Sequence, residues 1–337
     1  MRKYVLIIFF CSGFYSLFAQ TITLVESGRN TSLRGLSVLN DSIAWVSGNG
    51  GWLAHTSNGA KSWYWQQLEK YKDFDFRDIE VLSEKRIILL SAGSPAVILL
   101  STDAGESWKE VYRNDSPEIF LDGMDFRNAL EGVVYGDPIK GQMVILRSMD
   151  AGLTWKDISN QNKIPLIEGE AGFAASGTGI RCGKTGQVWI ATGGVQSRIF
   201  HSEDFGETWQ DYRLPIIQGK SSTGPFSISF FKNKWGIAAG GDFLSDTSRN
   251  NNLLWSQNGG KTWSKPIIST FGYRSAVEHI NKRQVLASGP TGTDFSKDGG
   301  KTWKKLSAEG FHALRKAKSG KLVLLSGSKG RIALWEE

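Results

Sequence analysis

Six acidic or amide side chains recur within one octapeptide pattern, and such groups could serve as catalytic acids and bases or as metal ligands. The pattern is Ser/Thr-x-Asp/Asn-x-Gly-x-Thr/Ser-Trp, and its third position is occupied by Asn58, Asp103, Asp150, Asp204, Asn258 and Asp298. The neighbouring residues predict a turn, because an Asx oxygen accepts backbone N–H groups two residues on and glycine adopts a positive φ. We therefore interpret all six as structural residues of a turn and expect no metal site among them.

The segments between the octapeptides predict the strands that these turns join. In the first unit, short apolar or alternating runs cover 33–39, 43–48 and 51–57, and 63–68 follows the octapeptide. Such runs, bounded by glycine and serine, indicate strands rather than helices. The octapeptide tryptophans stand at positions 63, 108, 155, 209, 263 and 303. This spacing fits four antiparallel strands per unit and predicts an all-β propeller.

A seventh unit follows the last octapeptide, with strand-like runs at 311–317, 321–327 and 331–335. It lacks a fourth strand, whereas the run 22–26 near the N-terminus has no unit of its own. Pairing the two would hide two open strand edges. We therefore predict a seven-bladed β-propeller over residues 20–337, closed by an N-terminal strand in the last blade.

The first 19 residues have the pattern of a secretory signal peptide: Arg2 and Lys3, then an apolar run, then Ala19. We expect export to the periplasm or beyond the cell, and a monomer without a membrane span. After cleavage Cys182 would stand alone, so no internal disulfide is expected. The formal charge of +7 is spread along the chain without a basic block, and we expect no nucleic-acid partner and no cofactor.

Charged residues gather where the predicted blades begin. Strand one of each blade should line the central channel, so its start and the loop between strands two and three share one face, here called the top face. The octapeptide turns belong to the opposite, bottom face. Aligned strand-one segments place these residues at corresponding positions: Arg34, Arg77, Asp122, Glu170, Phe226, Arg274 and His312. The loops between strands two and three add Asp137, Arg198 and Asp242. Two interpretations stay open, a self-neutralising ring of salt bridges and a recognition surface for a charged segment.

The octapeptide resembles the Asp box of bacterial neuraminidase repeats, which occur in sialidases and in propellers that are not enzymes. Four longer segments resemble the photosystem II stability and assembly factor-like family: LRGLSVLNDSIAWVSGNGG from 33, LDGMDFRNALEGVVYGDP from 121, EGEAGFAASGTG from 168 and PFSISFFKNKWGIAAGGD from 225. The resemblance covers nearly the whole predicted propeller. It implies an exported propeller that helps to assemble a membrane complex.

Three functions follow as hypotheses. The first is a non-catalytic scaffold whose top face binds an exported protein or a membrane-complex subunit. The second is a sialidase-like hydrolase. An arginine clamp would be formed by Arg34, Arg77 and Arg274. The nucleophile would be Tyr273, with Glu170 as its base and Asp122 as the acid. Against it, the nearest match to the sialidase Arg-Ile-Pro motif, at 212–215, follows the fourth octapeptide on the outer edge of a blade. The third is passive binding of a surface polysaccharide.

Overall fold

The two ends of the propeller domain meet in one blade. The computed structural model describes residues 20–161 and 164–337. Its first strand, β1 (Thr21–Glu26), pairs antiparallel with the last, β28 (Ile332–Glu336), and Ile22 lies opposite Trp335. The predicted closure of the ring is confirmed, and the predicted signal peptide lies outside the described residues.

Seven sheets form the ring, in agreement with the predicted fold. Blade 1 consists of β2 (Leu33–Val38), β3 (Ala44–Gly48), β4 (Trp52–Thr56) and β5 (Tyr64–Gln67). Blade 2 consists of β6 (Asp75–Val81), β7 (Ile87–Ala92), β8 (Ala96–Ser101) and β9 (Lys109–Asn114). Blade 3 consists of β10 (Leu121–Phe126), β11 (Gly132–Ile139), β12 (Gln142–Ser148) and β13 (Lys156–Asp157). Within each blade, neighbouring strands run antiparallel in sequence order.

The other blades vary this plan. Blade 4 has a divided first strand: its elements are β14 (Glu170–Ala171), β15 (Ile180–Cys182), β16 (Val188–Gly194), β17 (Arg198–Ser202) and β18 (Gln210–Arg213). Blade 5 consists of β19 (Thr223–Phe231), β20 (Trp235–Asp242) and β21 (Leu253–Ser256), and a single bridge from Trp255 to Ser264 replaces its fourth strand. Blade 6 consists of β22 (Ala276–His279), β23 (Val285–Gly289), β24 (Gly292–Ser296) and β25 (Lys304–Ser307). Blade 7 consists of β26 (Ala313–Lys316), β27 (Val323–Ser326), β28 and β1.

In the part of the chain that the structure describes, helical structure is limited to two short 3₁₀ turns, Glu69–Tyr71 and Ser328–Gly330. Within the described ranges, no helix has the length and apolar character needed to cross a membrane.

The core lies between successive blades. Ile88 and Leu90 of blade 2 pack in one buried cluster with Met124 and Val134 of blade 3. Octapeptide tryptophans join several of these contacts: Trp108, for example, meets Trp45 of the preceding blade edge-to-face, with ring centroids 6.3 Å apart. Each large apolar side chain buried in this way contributes roughly 1.5–3 kcal/mol. The blades are thus held as a ring by apolar packing.

The octapeptide turns bind their own backbone. In the second copy Asp103 Oδ1 accepts the N–H of Ser107 at 3.0 Å, four residues on. The Ser101 hydroxyl accepts the N–H of Gly105 at 2.8 Å. The sequence predicted that the Asx oxygen accepts an N–H two residues on. In the structure it accepts the N–H four residues on instead. Ala104 and Gly105 both adopt positive φ, at 62° and 87°.

Candidate functional site

A β-bulge recurs near the start of strand one. In blades 1, 2, 3 and 5, the pairing of strand one with strand two skips one residue at the same point. The skipped residues are Arg34, Arg77, Asp122 and Phe226. A bulge redirects the side chain of the extra residue. The structure thus gives these four residues equivalent positions at the top end of the channel.

In blade 6 the equivalent residue is Ser275, and the alignment that put Arg274 there is wrong. Ala276 pairs with Ser288 in the same way as Gly35 pairs with Ser47, so the residue before Ala276 takes the mouth position. A shift of one residue turns a strand's side chains to the opposite face. Arg274 is consequently fully buried.

An ion pair holds Arg274 inside the blade. Its Nε donates to Asp294 Oδ2 at 2.7 Å, and its NH1 donates to Thr291 Oγ1 at 2.9 Å. Both members of the pair are fully buried. Burial lowers the pKa of Arg274, and Asp294 opposes that shift.

Glu170 and Arg198 form a second internal pair, within blade 4. Arg198 NH2 lies 2.6 Å from Glu170 Oε2, and Thr192 Oγ1 donates to Glu170 Oε1, also at 2.6 Å. Arg198 reaches Asp211 at 3.3 Å as well. Glu170 is 1% exposed and lies in β14, away from the part of strand one that lines the channel. These two residues therefore neutralise each other.

The three predicted aspartates are partly or fully enclosed. Asp122 is buried, and burial together with the neighbouring Asp137 raises its pKa well above the usual value. Asp137 accepts the N–H of Gly172 at 3.1 Å, and burial raises its pKa too. Asp242 accepts the N–H of Leu244 at 3.0 Å and so stabilises the loop that follows β20.

Residues 172–179 run across the top end of the channel, and we call them the channel-crossing segment. Arg34 NH1 donates to the carbonyl of Ala175 at 3.0 Å, and Ser176 Oγ donates to the carbonyl of Ser275 at 2.7 Å. The segment therefore joins blade 4 to blades 1 and 6. The sequence does not predict this segment, because the alignment placed Glu170 at a strand-one position and residues 172–179 have no strand pattern.

The channel-crossing segment is the floor of a cavity of about 490 Å³, here called the top mouth. Arg34, Arg77 and His312 line one side. Phe226, Phe243 and Tyr273 are among the residues that line the other. Its size lies in the range of ordinary ligand sites.

Positive charge dominates one side of the top mouth. Arg77 pairs with Asp75 at 2.7 Å, but Arg34 has no carboxylate within 4 Å among the described residues. Burial lowers the pKa of Arg34, and the like charge of Arg77 lowers it further. Burial and nearby arginines lower the pKa of His312 to about 3, so this ring is neutral at neutral pH. One carboxylate residue, Asp246, also lines the cavity.

Aromatic rings build the opposite side. Phe173 of the channel-crossing segment stacks on Phe226 with 3.8 Å between ring centroids, and Tyr273 meets Phe226 edge-to-face at 4.7 Å. At the rim, Phe243 and Leu244 are 46% and 76% exposed. Burial raises the pKa of Tyr273, which is therefore an un-ionised phenol at neutral pH. The top mouth combines a cationic side with an apolar one.

The described residues contain no group of three or more histidine, cysteine, aspartate or glutamate side chains arranged to hold a metal ion. The top mouth consists of hydrogen-bonding, cationic and apolar groups, together with the carboxylate of Asp246.

The fold and its turns define the class: a seven-bladed β-propeller with Asp-box turns. The model of the BNR/Asp-box repeat matches residues 294–305. No curated protein sequence matches the chain.

Three solved structures show the likeness of the whole domain. YCF48 bound to D1 peptide is 13% identical, with 94% of this chain and 97% of that chain covered and a TM-score of 0.67. YCF48 from Cyanidioschyzon merolae is 16% identical, with 94% and 98% covered and a TM-score of 0.63. A GH74 xyloglucanase from Xanthomonas campestris is 16% identical, with 93% of this chain but 53% of that chain covered and a TM-score of 0.61. At these identities the likeness establishes the fold, and function depends on the site.

Proposed function

We propose that the protein is an exported, non-catalytic scaffold, similar to assembly factors, that binds a carboxylate-bearing peptide segment of a protein partner in the top mouth. The observation that carries this proposal is the Arg34 guanidinium, which lies in a cavity beside an aromatic side and has no carboxylate partner within 4 Å in the described part of the chain. The partner would be another exported protein or a subunit of a membrane complex.

The arginines of the top mouth are held in place but retain free donors. Arg34 and Arg77 each donate one hydrogen bond to the channel-crossing segment, at 3.0 Å to Ala175 and 3.4 Å to Ala174. A guanidinium has five N–H donors, so further donors stay free for a ligand. Charge-assisted bonds to a carboxylate are about twice as strong as neutral ones, and partial burial of Arg34 favours them.

The aromatic side of the top mouth determines which kind of residue should lie next to the carboxylate in the ligand. Phe226, Tyr273 and the exposed Phe243 offer ring surface to an apolar side chain of a ligand. Aromatic rings supply large contact areas at low conformational cost. The best-fitting occupant is thus a segment that carries a carboxylate next to an apolar residue.

The comparison with solved structures supports a peptide occupant. YCF48, which shares this fold, has been solved with a D1 peptide bound.

The residues required for a sialidase-like hydrolase do not converge. Arg274 is held by Asp294, Glu170 is held by Arg198, and the Tyr273 phenol is un-ionised at neutral pH. A clamp of three arginines is therefore not formed at the top mouth. We expect a fluorogenic sialoside to remain uncleaved under conditions in which a control sialidase hydrolyses it.

Peptide selection tests the proposal directly. A displayed library of random peptides would be panned on the folded domain and on Arg34→Ala/Arg77→Ala. A matched control, Arg113→Ala/Arg147→Ala, removes two ion-paired arginines outside the top mouth. We expect carboxylate-rich peptides to bind the wild type and the control equally, and the top-mouth variant about tenfold or more weakly.

The proposal is overturned if the wild type and Arg34→Ala/Arg77→Ala select the same peptides and bind them with the same affinity.

Export is tested separately, by fractionating cells that produce the chain with and without residues 1–19.

A further inference from the structure

Cations that are scattered in the sequence meet on the bottom face of blades 5 and 6. Lys234 lies in the loop between β19 and β20, Lys282 and Arg283 lie between β22 and β23, and Lys301 lies in the Asp box of blade 6. Because successive strands are antiparallel, all three loops emerge on the same face. None of these four side chains has a carboxylate within 4 Å among the described residues.

The four cations surround a cleft of about 430 Å³ between the two blades. Two half-buried indoles, Trp235 and Trp255, form its walls. Lys282 Nζ lies 4.2 Å from the Trp235 ring centroid, and Lys301 Nζ lies 5.3 Å from that of Trp255. A cation–π contact positions an ammonium group but leaves its charge uncompensated. The cleft is thus lined by aromatic surface and unpaired positive charge.

Among the described residues, one carboxylate lines this cleft, that of Asp298, and it is hydrogen-bonded within its own turn. Asp298 Oδ1 accepts the N–H groups of Lys301 at 3.0 Å and Thr302 at 2.9 Å, and Oδ2 accepts the Thr302 hydroxyl at 2.6 Å. Asp298 is therefore turned towards its own backbone, and the ammonium groups are left for a ligand.

We infer that this cleft binds an acidic polysaccharide, a chain of pyranose rings that carry carboxylate groups. The carboxylates of successive sugars would draw the ammonium groups of Lys282 and Lys301 away from the indole rings, and the apolar C–H face of a pyranose would pack on the ring surface that this uncovers. The indoles line a concave cleft, a shape that suits a sugar ring better than a flat lipid surface. This site lies on the face opposite the top mouth and does not depend on the function proposed there.

An anionic membrane is the competing occupant. Ile267, whose N–H donates to the carbonyl of Lys301 at 2.7 Å, is 82% exposed beside the cleft. Apolar and basic residues at one edge would also suit a lipid headgroup region. The test therefore compares both kinds of surface.

The experiment measures binding of alginate oligomers, which are uronate chains, by calorimetry at low salt. Neutral dextran and phosphatidylglycerol vesicles are the comparison probes. The cleft variant is Lys282→Ala/Lys301→Ala, and its control is Lys85→Ala/Lys184→Ala, which removes two exposed lysines from bottom-face loops of blades 2 and 4. We expect alginate to bind the wild type and the control equally and the cleft variant about tenfold or more weakly. Dextran and the vesicles should not bind.

A Trp255→Leu variant tests the role of the indole, and Trp255→Phe, which keeps an aromatic ring, checks for loss of folding. We expect the leucine variant to bind alginate several-fold more weakly and the phenylalanine variant to stay within about twofold. Alginate binding that is unchanged in the lysine variant or in Trp255→Leu overturns the inference. Binding to the vesicles without binding to alginate overturns it in favour of a lipid surface.

Discussion

The guanidinium of Arg34 donates a hydrogen bond to the carbonyl oxygen of Ala175, 141 residues further along the chain and 3.0 Å away. This bond links blade 1 to the channel-crossing segment of blade 4. Because Arg77 donates to the neighbouring Ala174, one segment positions both arginines of the top mouth. The candidate site therefore depends on the blade in which strand one is interrupted.

The first prediction concerns Gly177, which has a φ of +67° within this segment. A Cβ at this position would lie 2.2 Å from the Asp78 carboxylate, so alanine must displace the segment or the buried carboxyl group. We expect Gly177→Ala to lower the free energy of unfolding by about 2–5 kcal/mol, the sum of overpacking and left-handed strain. Urea denaturation measures the loss.

Gly28→Ala provides the matched control. Its φ is +95°, and nothing lies within 4 Å of an added Cβ, so this change introduces backbone strain alone. We expect a cost of about 1–2 kcal/mol there. Equal costs for both alanines would show that the channel-crossing segment is not tightly packed on Asp78.

The second prediction is a pH dependence due to Asp78. Burial raises the pKa of this carboxyl to about 7; Arg315 opposes the shift and Glu80 adds to it. In an unfolded chain an aspartate ionises near ~3.9. As the pH rises from about 4 to about 7, the unfolded chain loses this proton while the folded chain keeps it. The contribution of Asp78 to stability should therefore be largest below about pH 4, fall across this window by up to ~4 kcal/mol, and level off above it.

Asp78→Asn isolates this contribution. Asp122 and Asp125 also have raised pKa values and contribute to the overall pH slope, but they remain in both proteins. We expect the stability of the variant relative to the wild type to increase between pH 4 and 8, measured by urea denaturation at intervals. A difference that does not change with pH would contradict the prediction.

The sequence predicted the fold because six of the seven blades repeat the same turn chemistry. It predicted Arg34 and Arg77 at the top mouth because the segments around them match well. It failed at Arg274 because a register error of one residue turns a side chain from the mouth into the blade, and apolar patterning alone does not distinguish the two positions there.

Two other features depend on contacts between distant parts of the chain. The channel-crossing segment has no strand pattern; its path is fixed by glycines that lie against Asp122, Asp78 and Tyr135. Lys234, Lys282 and Lys301 are well separated in the sequence, and the repeated antiparallel topology brings them together. A sequence without a basic block can therefore fold with a basic surface.

The third prediction tests the buried ion pair of Arg274 and Asp294. Both side chains are fully buried, so removing one partner leaves an uncompensated charge. We expect Arg274→Met to lower the free energy of unfolding by about 3–5 kcal/mol. Arg274→Met/Asp294→Leu should recover part of that loss in urea denaturation. Peptide binding at the top mouth should be unchanged in the double variant, whereas weaker binding would place Arg274 in the site.

The fourth prediction concerns the strand that closes the ring. A chain beginning at Ser27 lacks β1, which leaves the backbone groups on one edge of β28 unpaired and uncovers the clusters that include Ile22 and Val25. An open, apolar strand edge is a template for pairing with another chain. We expect the truncated domain to lose several kcal/mol of stability and to form dimers or larger species, measured by thermal unfolding and light scattering. Leu24→Thr, at a position that is 51% exposed, should leave both properties unchanged. If the truncated chain stays monomeric with an unchanged melting temperature, β1 contributes nothing to the closure of the ring.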